Sequence, residues 1–320
     1  MLLYSMIAKY RKNVPQLENV FFMTDGGLET TLIFEKNIEI PYFCAFDLLR
    51  TDLGVILLKN YLKSYAQVAQ KLKVPLILNT PTWRASRDWG EKLGYNAQDL
   101  AHANQESVRM IESLRAEMEK DGLPLVIGAC IGPRGDGYLP NERLSVQDSK
   151  NYHCEQIESF VDTAADFITA MTLNEAREAI GIVEASIEAN MPVVVSFTLE
   201  TDGNLPSGQS LESAIEEVDE ATGGKTLYFM INCVHPTHLK FSTTAGNKWV
   251  ERIRGLRPNA SQKSHAELNN SCHLDAGNPK ELAEDYYQVK QDLLPYLTIM
   301  GGCCGTDHHH VETIVRRCAS

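Results

Sequence analysis

The strongest constraint on this fold is an alternation that runs almost the whole length of the chain. Short apolar runs and stretches of helical spacing follow one another from residue 20 to residue 317. Residues 20–24 read as a buried strand ending in Asp25-Gly26-Gly27, a turn whose glycines let backbone approach a ligand closely. In 53–73, Leu53, Ile56, Leu57, Tyr61, Tyr65, Val68, Ala69 and Leu72 recur at helical spacing. Further strands are predicted at 75–78, 125–130, 167–172, 193–197, 227–233 and 296–299. Helices are predicted at 97–120, 146–163, 174–190, 210–221, 279–293 and 311–317. The seventh strand has the weakest pattern. It is placed at 260–268, a segment crowded with Ser, Gln and Lys, and 238–256 is read as partly helical.

About eight strand–helix units in roughly 300 residues are the length and order of a (β/α)8 TIM barrel. A doubly wound open sheet is the alternative. The run Pro192-Val193-Val194-Val195 is apolar throughout, as expected of a parallel strand covered on both faces. No composition break marks a second domain, so 1–320 is expected to be one barrel with a leader at 1–14. The first twelve residues place a short apolar part before Lys9, Arg11 and Lys12, the wrong order for a secretory signal. No apolar run approaches the ~20 residues of a membrane helix. Lys and Arg number 30 against 42 Asp and Glu, a formal net charge of −12, so neither nucleic acid nor an anionic membrane is an expected partner. Eight cysteines scattered over 320 residues are no disulfide framework, and they read as reduced thiols of a cytoplasmic protein.

The chemistry of such a barrel collects at the C-terminal ends of its strands. Those ends are Asp25-Gly26-Gly27, Thr80, Gly132-Pro133, Met171-Thr172, Thr198–Glu200, Asn232-Cys233 and Gly302-Cys303-Cys304. Three of the eight cysteines therefore fall on one face, at the ends of the sixth and eighth strands. Neighbouring cysteines rarely pair with each other, because a disulfide would strain the peptide between them. Cys233, Cys303 and Cys304 read instead as three ligands of a catalytic zinc whose fourth position stays open for a thiol. A thiol bound there is ionised yet remains nucleophilic. Other roles for these sulfurs are small buried hydrophobes, a redox-active vicinal dithiol, or a binding site without catalysis.

Asp25-Gly26-Gly27, Ile231-Asn232-Cys233 and Gly301-Gly302-Cys303-Cys304-Gly305-Thr306 resemble the motifs of the homocysteine S-methyltransferase family, over roughly residues 15–318. The resemblance implies a zinc-dependent (β/α)8 barrel that methylates homocysteine or a related thiol in methionine synthesis. It implies Cys233, Cys303 and Cys304 as the zinc ligands, with Asp25 and Gly26 beside the substrate. One position departs from the family. A Glu-Thr pair usually ends the fourth strand and its glutamate holds the substrate amino group, whereas this chain has Met171-Thr172. Either another acid substitutes, with Glu200 as the candidate, or the thiol substrate is not homocysteine.

The substrate shell is completed on paper by Gly27, Thr80, Asn232, Trp83 and Arg84. Trp83 is expected to stack on a sulfonium or betaine-type donor, and Arg84 to meet a substrate carboxylate or Asp88. No cobalamin or folate domain is apparent, so a free small-molecule donor is expected, and a homo-oligomer is compatible with the chain. His235 and His238 read as the start of a helix and His308–His310 as surface residues. Cys44, Cys130, Cys154, Cys272 and Cys318 read as structural or incidental.

Overall fold

The computed structural model describes residues 8–18, 20–138, 144–241 and 247–319. The first seven residues, part of the expected leader, lie outside it. Eight strands close a parallel barrel in sequence order, each paired with its neighbours and β1 with β8. They are β1 (Phe22–Met23), β2 (Leu76–Asn79), β3 (Leu125–Ile131), β4 (Phe167–Leu173), β5 (Val193–Thr198), β6 (Phe229–Asn232), β7 (Ile253–Arg257) and β8 (Ile299–Met300). Nearly every strand residue is buried, which is why these runs carry no polar alternation.

Helices at Asp52–Leu72, Ala97–Met118, Val146–Glu158, Ala176–Glu188, Leu211–Thr222, Pro279–Asp292 and His308–Cys318 pack around the sheet. Several start on a side chain that accepts a free N–H of the first turn: Thr51, Asn96, Ser145, Ser210, Asn278 and Asp307. The largest apolar cluster fills the layer between strands and helices. A smaller one, with Phe22, Ile77, Val126, Phe167 and Val194, fills the barrel interior and takes in Val14. The end of the expected leader is thus docked. Arg11 donates to the carbonyls of Val161, Thr163 and Ala165, and Val14 is buried.

The seventh strand is where sequence and structure part. Residues 260–268 form a loop and most of the short helix His265–Asn269, while β7 overlaps the end of the stretch 238–256 expected to be partly helical. Ile253-Arg254-Gly255-Leu256-Arg257 hides its strand character behind two arginines and a glycine. Gly255 is needed because a Cβ there would come 2.8 Å from the Met230 side chain. Among the described residues no helix is long and apolar enough to cross a membrane.

Candidate active site

A cavity of about 510 Å³ opens at the C-terminal end of the barrel. Its lining includes Asp25, Gly26, Gly27, Thr80, Trp83, Arg84, Met171, Thr172, Asn232, Cys233, Cys303 and Cys304. The three sulfurs converge: those of Cys233, Cys303 and Cys304 all lie within 4.8 Å of one another, a grouping that can hold a metal ion. Cys130 also lines the cavity but is outside this group. Contrary to the expectation of reduced thiols throughout, Cys233 and Cys303 are joined by a disulfide, with Cα atoms 5.4 Å apart. The convergence that suits three thiolates to one ion also brings two of the sulfurs into bonding reach. The adjacent pair, Cys303 and Cys304, is not bonded to itself.

The loop carrying Cys303 and Cys304 is held from both sides. Cys303 N–H donates to the Pro258 carbonyl at 2.7 Å, and Ala260 N–H to the Cys304 carbonyl at 3.0 Å. Gly302 lets the loop close on Thr306, whose Oγ1 would be 2.0 Å from a Cβ at residue 302. Gly301 and Gly302 therefore serve packing and do not line the cavity, whereas Gly305 of the same motif does. At the other sulfur, Cys233 takes a left-handed φ of 56°, uncommon for any residue but glycine. Asn232 ties the neighbouring strand ends together. Its Nδ2 donates to Thr172 Oγ1 at 2.8 Å, its Oδ1 accepts from Thr172 N–H at 3.0 Å and from Ser196 Oγ at 2.6 Å, and Nδ2 lies 3.9 Å from the Cys303 sulfur. Thr172, at φ 65°, is held in a conformation that β-branched residues avoid, and Asn232 offsets that cost. The Tyr138 hydroxyl donates to the Cys233 sulfur at 3.3 Å, and the Tyr138 ring packs on His265 with centroids 4.2 Å apart.

Asp25 pairs with Arg257 at 2.8 Å, both buried. Arg257 also donates to the Gly302 carbonyl at 2.9 Å and the Gly26 carbonyl at 3.3 Å, bracing the turn after β1 and the loop after β8 against each other. Arg84 donates to the Tyr42 carbonyl, pairs with Asp136 at 3.5 Å and lies over the rings of Trp83 and Trp89, at 4.6 Å and 3.9 Å. Its expected partner Asp88 is bound to Arg134. Arg84 Nε is buried without a hydrogen-bond partner. Trp83 donates its Nε1 to the Met171 carbonyl at 3.2 Å, so the tryptophan expected to meet a donor cation already carries Arg84 near its ring.

Glu200 is a correction. It is absent from the cavity lining and sits in a turn in which Gly203 N–H bonds its carbonyl, beside Asp202. Among the described residues the acids that do line the cavity are Asp25, Glu29, Asp136 and Asp275. Burial pushes the Glu29 carboxyl up to about 7, with Asp25 adding to the effect and Arg84 and Arg257 opposing it. Burial likewise pushes the Cys304 thiol up to about 11, and Glu29 is the next contributor. His265 is pushed down to about 4 by burial. His235 caps the single turn Pro236–His238 and, like His238, does not line the cavity. Arg257, Tyr138, Glu29 and His265 were missed by sequence reasoning. Only Glu29 carried a signal there, as the acid four residues beyond Asp25.

The chain matches the homocysteine S-methyltransferase family over residues 22–318. It belongs to that family. "Homocysteine S-methyltransferase 1" of Brassica oleracea var. italica is 25% identical, and the alignment covers 92% of each chain. The Arabidopsis thaliana protein of the same name is 22% identical over 92% of each chain. Among solved structures, the homocysteine methyltransferase MmuM from Escherichia coli has the same barrel. Its oxidised form superposes with a TM-score of 0.72 at 16% identity, and its metallated form with 0.70 at 15%. Each comparison covers 94% of this chain and 96% of the other. The protein is thus a methyltransferase built on a (β/α)8 barrel, and its substrates are small molecules.

Proposed function

We propose that this enzyme methylates the thiol of homocysteine with the aid of one zinc ion held by Cys233, Cys303 and Cys304. The observation that carries the reading is the convergence of three cysteine sulfurs within 4.8 Å at the mouth of a family barrel. With the Cys233–Cys303 disulfide reduced to thiols, the donor set fits: thiolates are preferred zinc ligands, and three of them leave one position of a tetrahedron open. A bound zinc ion would supply the positive charge that ionises a substrate thiol near neutral pH, so no general base is required. The metallated form of MmuM supports a metal in this fold.

The chain's own residues then have defined work. Asn232 orients the strand ends that present Cys233 and touches the Cys303 sulfur. The Asp25–Arg257 pair fixes the β1 turn against the cysteine loop. Trp83, Met171 and Thr172 wall the space in which a methyl donor lines up with the thiol, and alignment supplies much of the rate. A free sulfonium or betaine-type donor suits a cavity of about 510 Å³ in a single barrel. Cytoplasmic residence fits a site that needs reduced thiols.

The test is metal content of wild type and Cys303→Ala, followed by methyl transfer to homocysteine from a panel of donors. Zinc near one per chain, lost in the variant together with activity, is the expected result. A second reading has one observation behind it, the Cys233–Cys303 disulfide. A metal-free native protein with a reversibly titrating thiol pair would favour that redox reading instead.

A further inference from the structure

Four acids line the cavity among the described residues: Asp25, Glu29, Asp136 and Asp275. Three have a cation beside them. Asp25 holds Arg257 at 2.8 Å, Asp136 holds Arg84 at 3.5 Å, and Asp275 holds Lys263 at 3.1 Å. Glu29 makes no ion pair and no hydrogen bond to another described side chain. Its carboxylate has a backbone hydrogen bond and feels Arg84 and Arg257 only from a distance, and a partly buried carboxylate facing a cavity with no cation in contact is costly unless the ligand brings one.

Its position narrows what that ligand carries. Glu29 lies in the turn Leu28–Thr30, which is clamped onto the cysteine loop. Gly27 N–H donates to the Thr306 carbonyl at 2.9 Å, and Gly305 N–H to Thr30 Oγ1 at 3.0 Å. Gly27 itself approaches so closely that a Cβ there would come 2.6 Å from the Cys303 carbonyl. The turn bearing Glu29 and the loop bearing Cys303 and Cys304 are therefore braced against each other, so a thiol substrate at the sulfurs can present a cation to Glu29. The end of β4 offers no alternative, since Met171 is apolar and its carbonyl is taken by Trp83. Arg84, whose Nε is buried without a hydrogen-bond partner, also lines the cavity.

We infer that Glu29 receives the α-ammonium of the thiol substrate and so selects an α-amino-acid thiol. The inference rests on the proposed methyltransferase reading and names the residue that does the selecting.

The test uses the full-length zinc-loaded chain and calorimetric binding of two thiols, homocysteine and 4-mercaptobutanoic acid, which differ only in the amine. Wild type is expected to prefer homocysteine. Glu29→Gln should weaken homocysteine binding about tenfold to a hundredfold, the worth of a charge-assisted hydrogen bond, and change 4-mercaptobutanoate less than about twofold. Glu29→Asp, which keeps the charge, should retain part of the preference, and it serves as the second variant if Glu29→Gln fails to fold. Equal loss for both thiols would mark a structural role and overturn the inference, as would an unchanged preference in Glu29→Gln. An effect confined to the KM of the methyl donor would assign the carboxylate to the donor's onium group, again overturning it. If wild type holds zinc and binds neither thiol, the methyltransferase reading itself fails and takes the inference with it.

Discussion

Two buried aspartate–arginine pairs stand at opposite ends of this barrel, and they differ in what surrounds them. At the N-terminal end Asp166 bonds Arg115 and also accepts the N–H groups of Tyr10 at 2.7 Å and Ile127 at 2.8 Å, while Arg115 donates to the Leu125 carbonyl at 2.9 Å. Among the described residues the partners are backbone groups and packed side chains, and neither member of the pair lines the cavity. At the C-terminal end Asp25 and Arg257 form the same pair at 2.8 Å, yet both face the cavity. Arg257 braces Gly26 and Gly302, the two turns that carry the site. A buried ion pair is therefore no marker of function by itself. The marker is its edge on a cavity whose other walls include strained backbone at Thr172 and Cys233, the orphaned Arg84 Nε and the unpaired Glu29.

Removing one partner of each pair breaks the comparison most directly. Arg115→Ala and Arg257→Ala should each cost about 3–5 kcal/mol, because each strands a buried carboxylate. Urea denaturation reads that loss. Methyl-transfer kinetics on the folded fraction should then separate them: kcat/KM unchanged for Arg115→Ala and about a hundredfold lower for Arg257→Ala, whose cysteine loop loses its brace. An equal kinetic loss in both would show that the two ends are not functionally distinct.

A smaller effect is expected where the site is tuned from behind. Asn232→Ala removes the contact to the Cys303 sulfur and the bonds holding Thr172. Metal affinity, measured by chelator competition, should fall about tenfold to a hundredfold, as for other groups that orient metal ligands. Wild-type affinity in this variant would mean the cysteine loop orients the ligands unaided.

The smallest effect concerns pH. Glu29 has a folded pKa of about 7 against an ordinary value of 4.5, so the folded state binds the extra proton between those values. Stability then falls as pH rises from about 4.5 to 7, the sign for a carboxyl whose pKa is raised on folding. The charged groups acting on it are Asp25, Arg84 and Arg257. In the metal-free chain without substrate, Glu29→Gln should raise Tm at pH 8 and leave it unchanged near pH 4.5. A variant whose Tm tracks wild type across that range would show the carboxylate to be solvated.

What could be read early and what could not divides along physical lines. The strand ends bearing Asp25, Asn232, Cys233, Cys303 and Cys304 were legible because they follow buried apolar runs, and the cavity lining includes all five. The seventh strand was not. Arg254 and Arg257 break its apolar pattern, and Arg257 is tolerated in the interior only because Asp25, far away in sequence, neutralises it. Glu200 was chosen for its place after β5, but no sequence rule tells which way a loop turns. Glu29 lies in a turn whose approach to the cysteines depends on Gly27 and Thr30 meeting a loop about 275 residues later.

The sequence alone determined the barrel, the family and the three sulfurs, since periodicity and a paired-cysteine motif are local properties that survive without coordinates. The tertiary structure decided which charges are paired. Ion pairs such as Asp25–Arg257 join residues brought together only by closure of the barrel, and the acid left over, Glu29, can be recognised only after every other partner has been placed.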